Sequence, residues 1–288
     1  MGTALAVALC VAPGLASASS VDLFYERAVM TAADARCGLF SGPVGSALAA
    51  AQAQARGAAL RGGADRATLN AVERRAAQKA GAVACDSTDI DAAAGRVRTA
   101  FEGYAKLIKM DYPGDVSEWR ADRSSSSAGA RWRLIQDTTF DGGRMVFGLA
   151  GRAGANRLMA VATFSDGGQP YAARLVLRDD AVTLGPYLDA RGDSLEHLPL
   201  TRRLPPAGAR TTYSAEARSR AGLDLLPKDV KSGWAFRFPA EAARTLSRLD
   251  PREAVMVEFL FAGDATQRAY VEVGDFAAGR AFLQTASR

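Results

Sequence analysis

Two cysteines are the first residues in this chain whose types and positions imply a particular bond. Cys37 and Cys85 are the thiols that remain once Cys10, which lies in an apolar leader, is set aside. An even pair in a chain expected to reach an oxidising compartment reads as a disulfide. Nucleophilic catalysis finds little support. His197 is the one imidazole available as a base, and it sits in Asp193-Ser194-Leu195-Glu196-His197-Leu198-Pro199, which reads as a surface loop. No G-x-S-x-G turn occurs in the chain to present a serine. Lys231-Ser232-Gly233 has the K-[ST]-G form found in serine penicillin-recognising enzymes, yet no Ser has a Lys three positions later, so the match carries nothing.

Metal chemistry is equally thin. With a single His and no C-x-x-C or H-E-x-x-H, no metal and no cofactor are expected. Asp86, Asp89 and Asp91 with Ser87 and Thr88 suit the start of a helix better than a cation loop. One carboxylate pair stays open. Glu258 and Glu272 fall on consecutive predicted strands, and an even register would set them face to face as a hydrolase-like dyad. The Arg-Gly-Asp tripeptide at 191–193 is short enough to arise by chance.

Arginine is the more pronounced signal. Of 36 basic side chains only five are Lys, against 31 acidic ones, for a net charge of +5. That surplus is too dilute for a dedicated nucleic-acid binder. Arg174 and Arg178 share one face of a predicted strand, while Arg237 alternates with Trp234, Phe236 and Phe238 on another. These three are the candidate binding residues, because a guanidinium fork suits phosphate and carboxylate groups.

The elements that must position these residues divide into two periods. Through residue 112 the chain is rich in Ala, with apolar residues at three-and-four spacing. Phe24, Ala28 and Ala35 mark one stripe; Val44, Leu48, Ala51 and Ala55 a second; Leu69, Val72, Ala76 and Val83 a third. The fourth runs from Ile90 through Val97, Phe101 and Tyr104 to Ile108. Four helices joined by short loops run up and down alternately, so Cys37 and Cys85 end the first and third at the same end of a bundle. The bundle is assigned to 19–114 and a linker to 115–130, which contains Ser124–Ser127. From 131 to 288 the period becomes two, predicting six to eight antiparallel strands in a sandwich or flattened barrel. Two short helices, 240–249 and 276–284, interrupt it. The class is therefore α+β.

Residues 1–18 form an apolar run closing on Ala16-Ser17-Ala18, the pattern of a secretory signal cleaved after Ala18, although no Lys or Arg precedes the run. It is too short for a transmembrane anchor. A periplasmic location follows. The segments FRFPAEAARTLSRLDPREAVMVEFLF and AYVEVGDFAAGRAFL, with their corner at Gly274-Asp275-Phe276, resemble the closing section of the invasion-associated-locus-B-like exported proteins of alphaproteobacteria. The resemblance covers only the C-terminal section and implies a short helix, a strand pair and a final helix in an exported protein. Together these observations predict a non-catalytic module of the cell envelope that binds a protein or an anionic polymer. An envelope hydrolase using Glu258 and Glu272 is the alternative.

Overall fold

The computed structural model describes residues 19–124, 130–152, 156–188, 198–227 and 229–284. The expected leader at 1–18, most of the Ser-rich run, the Arg-Gly-Asp tripeptide and His197 lie outside the described residues.

Four helices open the chain: α1 (Ser20–Cys37), α2 (Gly42–Arg61), α3 (Arg66–Gly81) and α4 (Thr88–Lys106). Their starts are set by side chains that accept otherwise unpaired amides: Ser19 from Asp22, Asp65 from Thr68, and Ser87 from Ile90. Gly38, at φ +63°, ends α1 in the left-handed conformation that Gly adopts without steric cost. α1 packs on both α2 and α3, and α4 leans on α2. Phe24, Leu48, Leu69 and Val72 are buried as their spacing predicts. Two details differ. Ala33 rather than Ala35 turns inward, and Ile108 is exposed because α4 ends at Lys106, before the stripe does. The Cys37–Cys85 bond joins the end of α1 to the loop before α4, with the Cα atoms 5.6 Å apart.

Eleven antiparallel strands among the described residues make two sheets. They are β1 (Lys109–Pro113), β2 (Glu118–Asp122), β3 (Arg131–Phe140), β4 (Gly143–Gly151), β5 (Arg157–Phe164), β6 (Ala172–Arg178), β7 (Arg210–Ser214), β8 (Ala217–Arg220), β9 (Trp234–Arg237), β10 (Ala254–Leu260) and β11 (Thr266–Glu272). The larger sheet runs β1-β2-β3-β4-β5-β9-β8 and the smaller β11-β10-β6-β7. α5 (Ala240–Leu246) and α6 (Phe276–Gln284) complete the chain. Phe147 and Phe236 from the large sheet meet Phe259 and Val257 from the small one in a single core, as alternation requires. β7 leads into β8 through Ala215 and Glu216, which bond to Ala173 and Arg237 respectively, so one strand path serves both sheets.

The expected linker at 115–130 and the bundle limit at 114 need correction. β1 and β2 lie across that boundary and belong to the large sheet, paired in register from Lys109 opposite Asp122 to Pro113 opposite Glu118. The reason is the fully buried Trp119, which packs on Phe276 and donates to the Val273 carbonyl at 2.9 Å. An indole of that size with a satisfied N–H anchors a strand, not a tether.

The helical layer is docked on the sandwich through α2 and α6. Arg61 at the end of α2 donates to both oxygens of Asp275, at 2.8 and 3.0 Å, and Asp275 is buried. Burial pushes that carboxyl above the usual aspartate range, and Arg61 pulls it back. Gly57 makes the approach feasible, since a Cβ there would fall on Asp275 Oδ1. Gly57→Ala is therefore expected to destabilise the protein by about 1–3 kcal/mol, despite the higher helix propensity of Ala. Urea denaturation would measure it, and a variant as stable as the parent would show that the seam yields freely.

Candidate functional site

The carboxylates come first, because they decide whether the sandwich holds a catalytic pair. Glu258 on β10 stands opposite Arg268 of β11 and Arg174 of β6. Arg268 Nε reaches Oε1 at 3.0 Å and Arg174 Nη2 reaches Oε2 at 3.1 Å, so both oxygens are engaged. Glu272 lies at the far end of the same ladder, opposite Ala254. Four ladder positions separate the two, about 13 Å at the usual strand rise. Glu272 instead turns to the β1–β2 connection and accepts the amides of Asp115, Val116 and Ser117 at 2.7, 2.8 and 2.8 Å. Burial raises its pKa, and the three amides act against that shift. The expected dyad does not form: the register spreads the two residues along the strands, and each is committed to a structural partner. Glu253 is spent likewise, fully buried against Arg178.

The arginine patch also needs correction. Arg174 and Arg178 do share a face of β6, but residues that follow the strand fold back over its end. Arg178 is 0% exposed and donates to Glu253 and to the Thr183 carbonyl. Arg174 belongs to the triplet with Glu258 and Arg268. Arg237 lies in the other sheet, 3.8 Å from Glu216. Alternation assigned the faces; it carried no information about what covers them.

A different group of cations does come together. β8 is the outermost strand of the large sheet, so one of its edges has no neighbouring strand among the described residues. Its register sets Arg218 opposite Phe236 and Arg220 opposite Trp234. The guanidinium carbons of Arg218 and Arg220 lie 3.5 and 3.9 Å from the Trp234 ring centroid, while Trp234 itself is 8% exposed. Both arginines are exposed, and neither pairs with a carboxylate among the described residues. Each cation gains from the electron-rich π system of the indole. The ring also limits the rotamers of both forks, which prepares each of them to meet a phosphate or carboxylate. The sequence signal was available as Arg218-Ser219-Arg220, an i, i+2 pair ahead of a strand led by Trp234. Four residues of strand are too few for alternation alone to identify it.

Among the described residues no three His, Cys, Asp or Glu side chains converge as metal ligands, and no helix is long and apolar enough to cross a membrane. Comparison with protein-family models, with curated proteins and with solved structures found no match.

Proposed function

We propose that this chain is a non-catalytic binding module of the bacterial cell envelope, which recognises the phosphate or carboxylate groups of an anionic envelope polymer through Arg218 and Arg220. The observation that carries the reading is the pair of exposed guanidiniums on one indole with no carboxylate to neutralise them among the described residues. Arg120, Arg174 and Arg268, elsewhere on the sandwich, already have acidic partners. The leader at 1–18 and the resemblance of the C-terminal section to exported proteins support the periplasmic placement. The engagement of Glu253, Glu258 and Glu272 in structural contacts favours binding over hydrolysis.

The test compares the parent with Arg218→Ala/Arg220→Ala for retention by immobilised lipopolysaccharide and by peptidoglycan fragments. The double variant is expected to bind at least about tenfold more weakly at low salt, as the loss of charge-assisted hydrogen bonds implies. The difference should shrink at high salt, since exposed charges are screened within about 8 Å at physiological ionic strength. Both residues are exposed, so the fold should be unaffected. Equal retention of both polymers would remove this edge from consideration, and selective capture of an acidic envelope protein would replace the polymer with that partner.

A further inference from the structure

The helical layer is not closed between α1 and α4. At one end the two are held together by the Cys37–Cys85 bond and by Ile90 of α4 packing with Ala33 and Ala80. Away from that end a groove of about 550 Å³ opens, floored by Leu48 and walled by Leu23, Val29, Met30, Val97 and Phe101. It extends about 10 Å along α1, from Leu23 to Met30, and about 12 Å along α4, from Ala93 to Phe101, at the helical rise per residue. This is why the fourth apolar stripe of the sequence remains half uncovered after folding: Val97 and Phe101 face the groove rather than a neighbouring helix.

Charge around the groove is one-sided. Arg27, Lys79 and Arg96 border it against a single carboxylate, Glu26, and none of the four forms an ion pair among the described residues. Arg27 is the innermost cation. Its side chain is half-buried and donates to the Ala51 carbonyl at 2.6 Å. A guanidinium carries five N–H donors, and the others on Arg27 have no protein partner among the described residues. Burial holds this group below the ordinary arginine value, against a weaker opposing pull from Tyr104 and Glu26.

We propose that the groove binds the acyl chain of a medium-length fatty-acid carboxylate, with the carboxylate seated on Arg27. The apolar walls suit a single chain, and the length of the groove suits a medium one. Its volume lies in the range of ordinary small-molecule sites. One planar fork bordering the groove matches one carboxylate, and the surplus of positive charge at the rim selects against a cationic head. This proposal stands apart from the anion site on β8, because it concerns a different layer of the molecule.

The experiment uses the full chain and a dansylated undecanoate as fluorescent probe. Dodecanoate is expected to displace the probe, while dodecyltrimethylammonium should need at least about tenfold higher concentration, given the strength of a charge-assisted hydrogen bond. Val97→Trp, which fills the groove from its half-exposed wall, should weaken dodecanoate binding at least about tenfold. Arg27→Gln should weaken dodecanoate to a similar degree and leave dodecyl maltoside unchanged. In the parent, a diazirine-bearing fatty acid should label the peptides holding residues 23–30 and 93–101, a result that does not depend on any variant folding. Arg218→Ala/Arg220→Ala should bind dodecanoate as the parent does, which separates this site from the polymer site. Labelling elsewhere, or equal displacement by the ammonium amphiphile, would overturn the proposal. Tighter binding of a lysophospholipid than of dodecanoate would overturn the assignment of the head group.

Discussion

Replacing Arg178 by Met is expected to destabilise the protein by about 3–5 kcal/mol, the range found when one partner of a buried ion pair is removed. Arg178 and Glu253 are both fully buried. Arg178 Nε and Nη2 reach the Glu253 carboxylate at 2.8 and 2.9 Å, and Nη1 reaches the Thr183 carbonyl at 2.6 Å. The amide of Asp250 also donates to the Glu253 carboxylate, at 3.0 Å. Without Arg178 the carboxylate would be left buried with only that amide. Burial already pushes Glu253 above the ordinary glutamate range, and Arg178 is the main influence pulling it back. In the variant the upward shift should therefore be larger. A carboxyl whose folded pKa is raised binds its proton more readily in the native state than in the unfolded one, so stability falls as pH rises between the two values. The deficit of Arg178→Met relative to the parent should thus be largest at neutral pH and narrow on acidification towards the ordinary glutamate range. Denaturant midpoints across that interval would measure it. A deficit that is constant with pH would mean that lost packing, and not the orphaned charge, is responsible. The double replacement Arg178→Met/Glu253→Leu should recover much of the loss, because an apolar pair of similar volume leaves no charge to desolvate.

The second large effect is expected at the disulfide. Cys37→Ser/Cys85→Ser opens a loop spanning a 48-residue separation, which corresponds to roughly 4 kcal/mol of denatured-state entropy. The helical layer is poorly placed to absorb that loss, since its buried face is largely Ala, and each Ala side chain removes little area from water. The loss should appear as a lowered unfolding midpoint for the double variant, and as the same lowering when the parent is reduced. Mass spectrometry of the unreduced parent should find no free thiol at either position. Two free thiols, or a variant of unchanged stability, would sink the expectation.

Much of the fold was legible because its signals are local. Helix starts could be read from Ser, Asp and Gly at the breaks, and the disulfide needed only the number and direction of helices between the two cysteines. β4, β6 and β10 stood out because seven to nine residues give alternation room to register, and the four-residue β9 showed through its aromatics Trp234 and Phe236. β1 and β2 were missed for the opposite reason. Each has five residues, and Tyr112 and Trp119 are fixed mainly by partners more than a hundred positions away, Phe282 and Phe276. The candidate sites were harder still. Sequence placed Arg174 and Arg178 on one face correctly, but the Arg178 partner comes from a loop 75 residues downstream. The β10–β11 register, which parts Glu258 from Glu272, depends on the turn at Gly263 and on the neighbouring strand β6. Trp234 was visible as a strand residue, while the two arginines on its ring belong to an edge strand too short to be recognised.

The bonds that close this molecule join its middle to its end. Glu272 holds the connection at residues 115–117, Trp119 donates to Val273, and Arg61 clasps Asp275 across 214 positions of chain. The order of events in folding follows from that geometry. The helices are made of neighbouring residues and can form early, but β1 and β2 cannot gain their final partners until residues 272–282 have been synthesised. Contacts of such long sequence separation slow folding, because the loop must be closed before the contact rewards it. Until residues 266–282 are in place, Trp119 and the amides of residues 115–117 lack their native partners, so β11 and α6 decide when the sandwich closes.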